Sequence, residues 1–205
     1  MPDRKLHWEK VYGSKQPIEV SWFQQDPLLS LRLIGNAQLD PGDAIIDVGG
    51  GASTLVDHLC DAGFTSIAVL DISGQALSQA RQRLAERASD VEWYEHDVTS
   101  FEPPREFSLW HDRAVFHFLT EKADRQKYVD VLRKAIKPGG HLVIMTFALD
   151  GPLKCSGLDI VQYDAAKINA ELGKGFVLAE SGHESHFTPA GNEQKFAYFR
   201  YIRQA

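Results

Sequence analysis

Five short apolar runs separated by amphipathic or polar stretches constrain this chain more than any other feature. They are AIIDVG (44–49), SIAVLDIS (66–73), VEWYEHDV (91–98), FSLWHD (107–112) and HLVIMTFA (141–148). Runs this short, rich in β-branched and aromatic residues, read as buried strands. ASTLVDHLCDAG (52–63) sets Leu55, Leu59 and Cys60 near helical spacing and stops at Gly63. SGQALSQARQRLAERA (73–88) is an amphipathic helix with Ser73 as its cap. EKADRQKYVDVLRKAIK (121–137) is a helix closed by PGG, and YDAAKINAELG (163–173) is another with a glycine stop. FVLAESGHE and KFAYFRYIR then read as two strands joined at TPAGN (188–192). Strands alternating with helices build a parallel sheet covered on both faces. The expected class is α/β: a doubly wound, mostly parallel seven-stranded sheet with a C-terminal antiparallel hairpin.

At 205 residues, 43% hydrophobic and 24% charged, the chain suits one domain over 1–205, with 1–35 as an N-terminal lid or helical extension. The net charge of −6 argues against a broad basic face for nucleic acid. Cys60 and Cys155 form neither a disulfide framework nor metal-ligand pairs. MPDRKLHWEK has no apolar core of the kind a secretory signal needs. No window reaches the roughly 20 apolar residues that span a bilayer. The expectation is a soluble cytoplasmic protein with no membrane or nucleic-acid partner.

Ligands of such sheets bind beyond the carboxyl ends of the strands, where strand order reverses. That directs attention to Asp47–Ser53, Asp71, Asp97 and Trp110–Arg113. DVGGGAST (47–54) follows the first strand and suits either a dinucleotide or a cofactor without phosphate. In the dinucleotide pattern G-x-G-x-x-G, Gly49 and Gly51 match, but Thr54 replaces the third glycine. Asp47 would face a pyrophosphate unfavourably, and Asp71 and Asp97 end the next two strands. Singly, each aspartate is equally well a helix cap or a loop ion pair. Three in succession count against the dinucleotide reading.

With its glycine loop and acidic strand ends, the chain resembles the class I, seven-stranded S-adenosylmethionine-dependent methyltransferases, whose fold is Rossmann-like. DVGGGAS is similar to their first motif, D/E-x-G-x-G-x-G, with Ser53 in the last glycine's place. The resemblance implies Asp71, followed by Ile72, as the ribose-binding acid, and Asp97 with Val98 as the adenine-holding pair. The cofactor implied is S-adenosyl-L-methionine, leaving S-adenosyl-L-homocysteine as product. Its sulfonium and ammonium suit an acidic site, with Gly49 and Gly51 admitting the backbone closely and Asp47 facing the ammonium.

HWEKVYGSKQPIEVSWF (7–23) carries Trp8, Tyr12 and Trp22. It resembles the N-terminus of the subgroup that includes elongation-factor lysine methyltransferases, where such a segment folds over the cofactor. Aromatic rings attract a sulfonium through cation–π contact, although they would equally cover a sheet edge. LWHDRAVFHFL (109–119) resembles the W-D-R segment of thiopurine and thiol methyltransferases with His111 inserted. FALDGPLKCSGL (147–158) is similar to their G-P loop through Gly151 and Pro152. These matches imply a small, soft acceptor such as a thiol, selenol or related metabolite, reached by in-line displacement. A protein lysine is the alternative acceptor, and a non-catalytic cofactor-binding protein the weaker alternative.

His111, Asp112 and Arg113 are the catalytic candidates, and His111 also a cofactor contact. The structural alternatives are a backbone hydrogen bond for His111 and Asp112 and an Arg113–Asp112 ion pair. His117 reads as a core histidine and Cys155 as a pocket lining. No metal is expected, because His183 and His186 would point to opposite faces of a strand.

Overall fold

The computed structural model describes residues 4–205. In chain order the elements are α1 (Arg4–Ser14), α2 (Leu28–Gly35), β1 (Ile45–Val48), α3 (Leu55–Asp61), β2 (Ile67–Asp71), α4 (Gly74–Leu84) and β3 (Val91–Glu95). They continue with β4 (Phe107–Arg113), α5 (Lys122–Ala135), β5 (Ile136–Phe147), β6 (Lys154–Cys155), β7 (Leu158–Asp159), α6 (Ala165–Leu172), β8 (Phe176–Phe187) and β9 (Glu193–Arg203).

β1 and β2 are buried along their whole length, as their unbroken apolar runs require. They sit inside a seven-stranded sheet of order β3-β2-β1-β4-β5-β9-β8. β1 pairs in parallel with both β2 and β4, so strand order reverses there. β9 runs antiparallel to β5 and to β8. Side chains alternate between the faces. On one face Ile46, Trp110 and Ile144 meet Tyr128 and Leu132 of α5 and Ile168 of α6. On the other, Ile45, Val69 and Val143 meet Leu33 of α2, Leu55 of α3 and Leu77 of α4. α4 starts where expected, with Ser73 Oγ accepting the Ala76 N–H at 3.2 Å.

Two segments differ from the sequence reading. β5 begins at Ile136, directly after α5, rather than at His141. Ile136 is fully buried and pairs with Phe107, so the helix hands over to the sheet without a loop. Gly139 takes φ +78° within the strand. Beyond β5, Lys154–Cys155 and Leu158–Asp159 pair as a short hairpin where the sequence reads as plain loop.

Asp112, expected among the catalytic groups, belongs instead to the core. It is fully buried and accepts the Val115 N–H at 2.9 Å, the Phe116 N–H at 3.1 Å and the Tyr128 hydroxyl at 2.7 Å. Tyr128 in turn accepts the Trp110 indole N–H at 2.9 Å. The alternation that turns Trp110 and Asp112 toward α5 takes them away from His111 and Arg113. Nor does Asp112 pair with Arg113, whose ion-pair partner is Glu184 of β8.

Burial pushes the Asp112 carboxyl up to about 6, and the Tyr128 hydroxyl holds it from rising further. Raised in the folded state, this carboxyl costs stability above pH 6 and not below the unfolded value. Tyr128→Phe removes a donor to the charged form and raises that pKa again. The variant should lose about 1–3 kcal/mol at pH 8, the scale of a buried polar group left short of a partner. Urea melts should show the loss shrinking toward pH 5, where the carboxyl is protonated. An equal loss at both values would assign the effect to packing alone.

Candidate functional site

Two adjoining cavities open at the carboxyl ends of β1, β2 and β4. The larger, about 770 Å³ counting the space open to solvent, runs from Asp71 and Asp97 past Gly49 to Phe118 and Cys155. Trp8, Tyr12, Trp22, Ile72 and Val98 also line it. The second, about 590 Å³ on the same measure, lies over the glycine loop. Asp47, Ser53 and His111 face it, and it shares Tyr12, Trp22, Gly49 and Arg113 with the first. Gly51 lines neither cavity.

The loop between β1 and α3 gives the cavities their floor. Gly49 takes φ +68°, and a Cβ there would overlap Val115 Cγ2. Gly51 lies against Asp71, where a Cβ would overlap Asp71 Oδ2 and Ala76. Both positions therefore demand glycine for reasons of space. Ser53 is tolerated in the place of the motif's last glycine, because its Oγ accepts the Leu55 N–H at 3.1 Å and starts α3.

Asp71 is nearly buried and accepts the Ser73 N–H through Oδ1 at 2.8 Å. Desolvation pushes its carboxyl up to about 7; Asp47 and Glu9 add to the rise, while the Ser73 and Gly51 N–H groups oppose it. Asp47 is also buried. Its Oδ1 meets His111 Nδ1 at 2.7 Å, and its Oδ2 has no hydrogen-bond partner. His111, expected as an acid–base group, has both ring nitrogens engaged, since Nε2 lies 2.9 Å from Ser30 Oγ of α2. It thus orients Asp47 at the cavity wall. Asp97 Oδ1 accepts the Thr99 N–H at 2.8 Å, while Oδ2 meets Arg4 of α1 at 3.2 Å.

The N-terminal segment closes over both cavities. Trp8, Tyr12 and Trp22 form one aromatic wall, with Trp8 and Trp22 edge-on at 5.6 Å and the Trp22 indole donating to the Tyr12 hydroxyl at 3.2 Å. Glu9 caps α4 by accepting the Gly74 N–H at 2.7 Å, and Arg4 bridges Asp97 and Asp124. The strap after α1 is irregular and is tied by side chains from the body. His186 donates to the Ser21 carbonyl at 2.8 Å, Arg113 to Trp22 at 3.0 Å and Thr54 to Gln24 at 2.9 Å. Glu184 and His186 therefore serve this face of β8, and no cluster of metal-ligand residues occurs among the described residues.

His117 is a buried core histidine, as expected. Its Nδ1 accepts the Phe147 N–H at 3.4 Å, and burial lowers it to about 3, so it is neutral. Arg4 and Ser30 are not singled out from sequence, and Glu184 only beside His183 and His186 as a metal-ligand candidate. Each acts across about 70 residues of chain or more, a separation that no local pattern reports.

The donor set suits a cationic nucleoside. Asp47 Oδ2 is a buried acceptor without a donor, three aromatic rings flank the cavity, and Asp71 lies where only glycine permits so close a backbone. All of these fit a ligand with a sulfonium, an ammonium and ribose hydroxyls.

Residues 46–142 match the family described as "Methyltransferase domain". The chain is 24% identical over 173 residues to the "eEF1A lysine and N-terminal methyltransferase" of Danio rerio, covering 82% of this chain and 25% of that protein. Its Bos taurus counterpart is 23% identical over 155 residues, covering 72% and 22%. The chain thus spans about a quarter of the length of the curated relatives it matches. Among solved structures, an S-adenosylmethionine-dependent methyltransferase from Anabaena variabilis superposes with a TM-score of 0.77 at 15% identity, covering 100% of this chain and 96% of that one. The N-methyltransferase NodS from Bradyrhizobium japonicum, in complex with S-adenosylhomocysteine, gives 0.74 at 16%, covering 99% and 100%. No described helix is long and apolar enough to cross a membrane. Residues 46–142 thus match a methyltransferase domain, and the sheet has the seven-stranded fold of the S-adenosylmethionine-dependent methyltransferases that the chain superposes on.

Proposed function

We propose that the chain methylates a small, soft nucleophile, a thiol, selenol or related metabolite, at the β4 end of the larger cavity. One observation carries this reading. That end is lined by Arg113, Ala114, Val115, Phe118, Leu119 and Cys155, and none of these described residues is a carboxylate or an imidazole. The cavity's carboxylates and imidazole, Asp71, Asp97 and His96, follow β2 and β3, and its remaining titratable groups, Arg4 and Tyr12, come from α1. Burial pushes the Cys155 thiol up to about 12, so it takes no proton near neutral pH.

A nucleophile bound at the β4 end must be reactive without a protein base. A thiol ionises near pH 8.5 and meets this condition, whereas a lysine ammonium, near 10.4, must first lose its proton. Arg113 favours an anionic nucleophile over a cationic one. Protein lysine is the second reading, and the names of the curated relatives favour it.

In this reading Asp71 takes the ribose hydroxyls, Ile72 and Val98 enclose the nucleoside, Asp97 holds the adenine amine and Asp47 the ammonium. Gly49, Gly51 and Ser53 shape the loop beneath. Bound S-adenosylmethionine supplies a methyl already activated on a sulfonium leaving group. The chain's own task is alignment and exclusion of water, and such positioning accounts for roughly 7–11 kcal/mol of a barrier. Trp8, Tyr12 and Trp22 close one side, and Phe118 packs edge-on against Trp8 at 5.1 Å.

Two measurements check this reading. Because burial raises Asp71, its charged form costs stability above pH 7 in the empty protein. A ribose that hydrogen-bonds the carboxylate offsets that cost, so the affinity for S-adenosylhomocysteine should fall as pH drops through about 7. Asp71→Ala should lose about tenfold to a hundredfold in affinity, roughly 1.5–3 kcal/mol, and lose the pH dependence with it. Titration calorimetry between pH 5.5 and 8 reads both effects, and an unchanged affinity would falsify the ribose assignment.

The acceptor is tested with methyl-labelled cofactor against a panel of thiols, selenols, free amines and purified elongation factor. Thioether formation that rises with pH toward the thiol's own pKa is the expected result. Label confined to lysine in the elongation factor would establish the second reading instead. Binding of cofactor with no transfer to any acceptor would favour a non-catalytic binding protein.

A further inference from the structure

Arg113 is a largely buried cation with donors to spare. It ends β4, and its guanidinium stacks on the Phe196 ring at 4.7 Å. Only Nη1 makes a hydrogen bond, to the Trp22 carbonyl at 3.0 Å. Nε and Nη2 are buried and have no hydrogen-bond partner. Glu184 Oε2 stands 4.0 Å from Nη2, outside hydrogen-bond reach, and is itself buried without a partner.

Burial depresses Arg113 only to about 10, so it stays charged at neutral pH. Two parallel N–H groups on a planar cation match the two oxygens of a carboxylate. A buried polar group left unpaired is costly, and a pair of donors fixed in place by a stacked ring is arranged for a planar partner. Arg113 also lines both cavities, and the second of them carries the unpartnered Asp47 Oδ2.

We propose that Arg113 is the carboxylate-recognising residue of this site, and that Glu184 holds the guanidinium only while no ligand carboxylate is present. This deepens the methyltransferase reading and rests on it. The carboxylate has two possible sources, the amino-acid tail of the cofactor or an acidic acceptor. With the cofactor tail, Asp47 takes the ammonium while Arg113 takes the carboxylate, and one cavity holds a zwitterion by opposite charges. With an acceptor, the preferred substrate is a thiol that also bears a carboxylate. Glu184 opposes either ligand through its own charge, so removing that charge should act opposite to removing Arg113.

The test measures binding to the full chain by calorimetry for two nucleosides, S-adenosylhomocysteine and 5′-methylthioadenosine, which lacks the amino-acid tail. In Arg113→Gln, S-adenosylhomocysteine should weaken about tenfold to a hundredfold, the range of a charge-assisted pair, while methylthioadenosine changes less than twofold. In Glu184→Gln, S-adenosylhomocysteine should tighten severalfold and methylthioadenosine should not change. That pattern assigns the carboxylate to the cofactor.

If the ratio of the two affinities stays constant, the second arm compares 3-mercaptopropionate with 2-mercaptoethanol as acceptors. A rise of about tenfold or more in KM for the acid alone in Arg113→Gln assigns the carboxylate to the acceptor. Parallel loss of both nucleosides, with no discrimination between the two thiols, overturns the proposal and leaves Arg113 as a tie for the strap. If Arg113→Gln does not fold, the opposite-signed effect of Glu184→Gln decides the matter alone. A wild-type chain that binds neither nucleoside overturns the cofactor reading itself, a failure distinct from a constant ratio.

Discussion

Burying a carboxylate at the end of a strand is expensive, and this fold does so three times, at the neighbouring ends of β1, β2 and β4. The chain compensates the three unequally. Asp112 has two backbone N–H groups and the Tyr128 hydroxyl, and it faces α5. Asp47 has His111 on one oxygen and nothing on the other. Asp71 is held by backbone N–H groups, yet its pKa still rises to about 7. The more completely a carboxylate is compensated from within, the less it has left for a ligand. That gradient separates the structural acid from the two that line the cavities.

The surrounding architecture keeps the Asp71 and Asp47 oxygens at the cavity walls and away from bulk water. Glycine at 49 and 51 lets the loop lie against Val115 and Asp71. The parallel pairing of β1 with β2 and β4 brings all three strand ends into one crevice. α1 and the strap behind it form the roof, tied by Glu9 to the start of α4 and by His186 and Arg113 to the strap carbonyls. Much of this roof is aromatic, which excludes water and still attracts a cation. The roof and the floor therefore serve the same requirement from opposite sides.

Some of this was legible in the sequence because it is local. β1 and β2 show as β-branched runs, α4 as an amphipathic stretch with a serine cap, and Asp71 as an acid closing a strand. Asp112 was misread because a motif at a strand end does not say which face each residue takes. In LWHDR, alternation turns Trp110 and Asp112 inward to α5 and leaves His111 and Arg113 on the other face. The start of β5 was missed because PGG reads as a helix stop followed by a loop, whereas burial of Ile136 draws the strand back to the helix end. The partners Ser30, Arg4 and Glu184 reach the site only through the tertiary fold. The third glycine's replacement by Ser53 was harmless for a local reason, since its hydroxyl starts α3.

The central claim is that the unpartnered groups of this crevice are the contacts of one nucleoside cofactor. A crystal structure of the chain with S-adenosylhomocysteine tests that most directly. The account predicts ribose hydroxyls within hydrogen-bond distance of Asp71, the adenine beside Asp97 and Val98, and the sulfur under Trp8 and Trp22. It also predicts that Asp47 Oδ2 gains a partner. Density for the nucleoside outside these two cavities, or inside them with Asp71 and Asp47 Oδ2 both untouched, would contradict it.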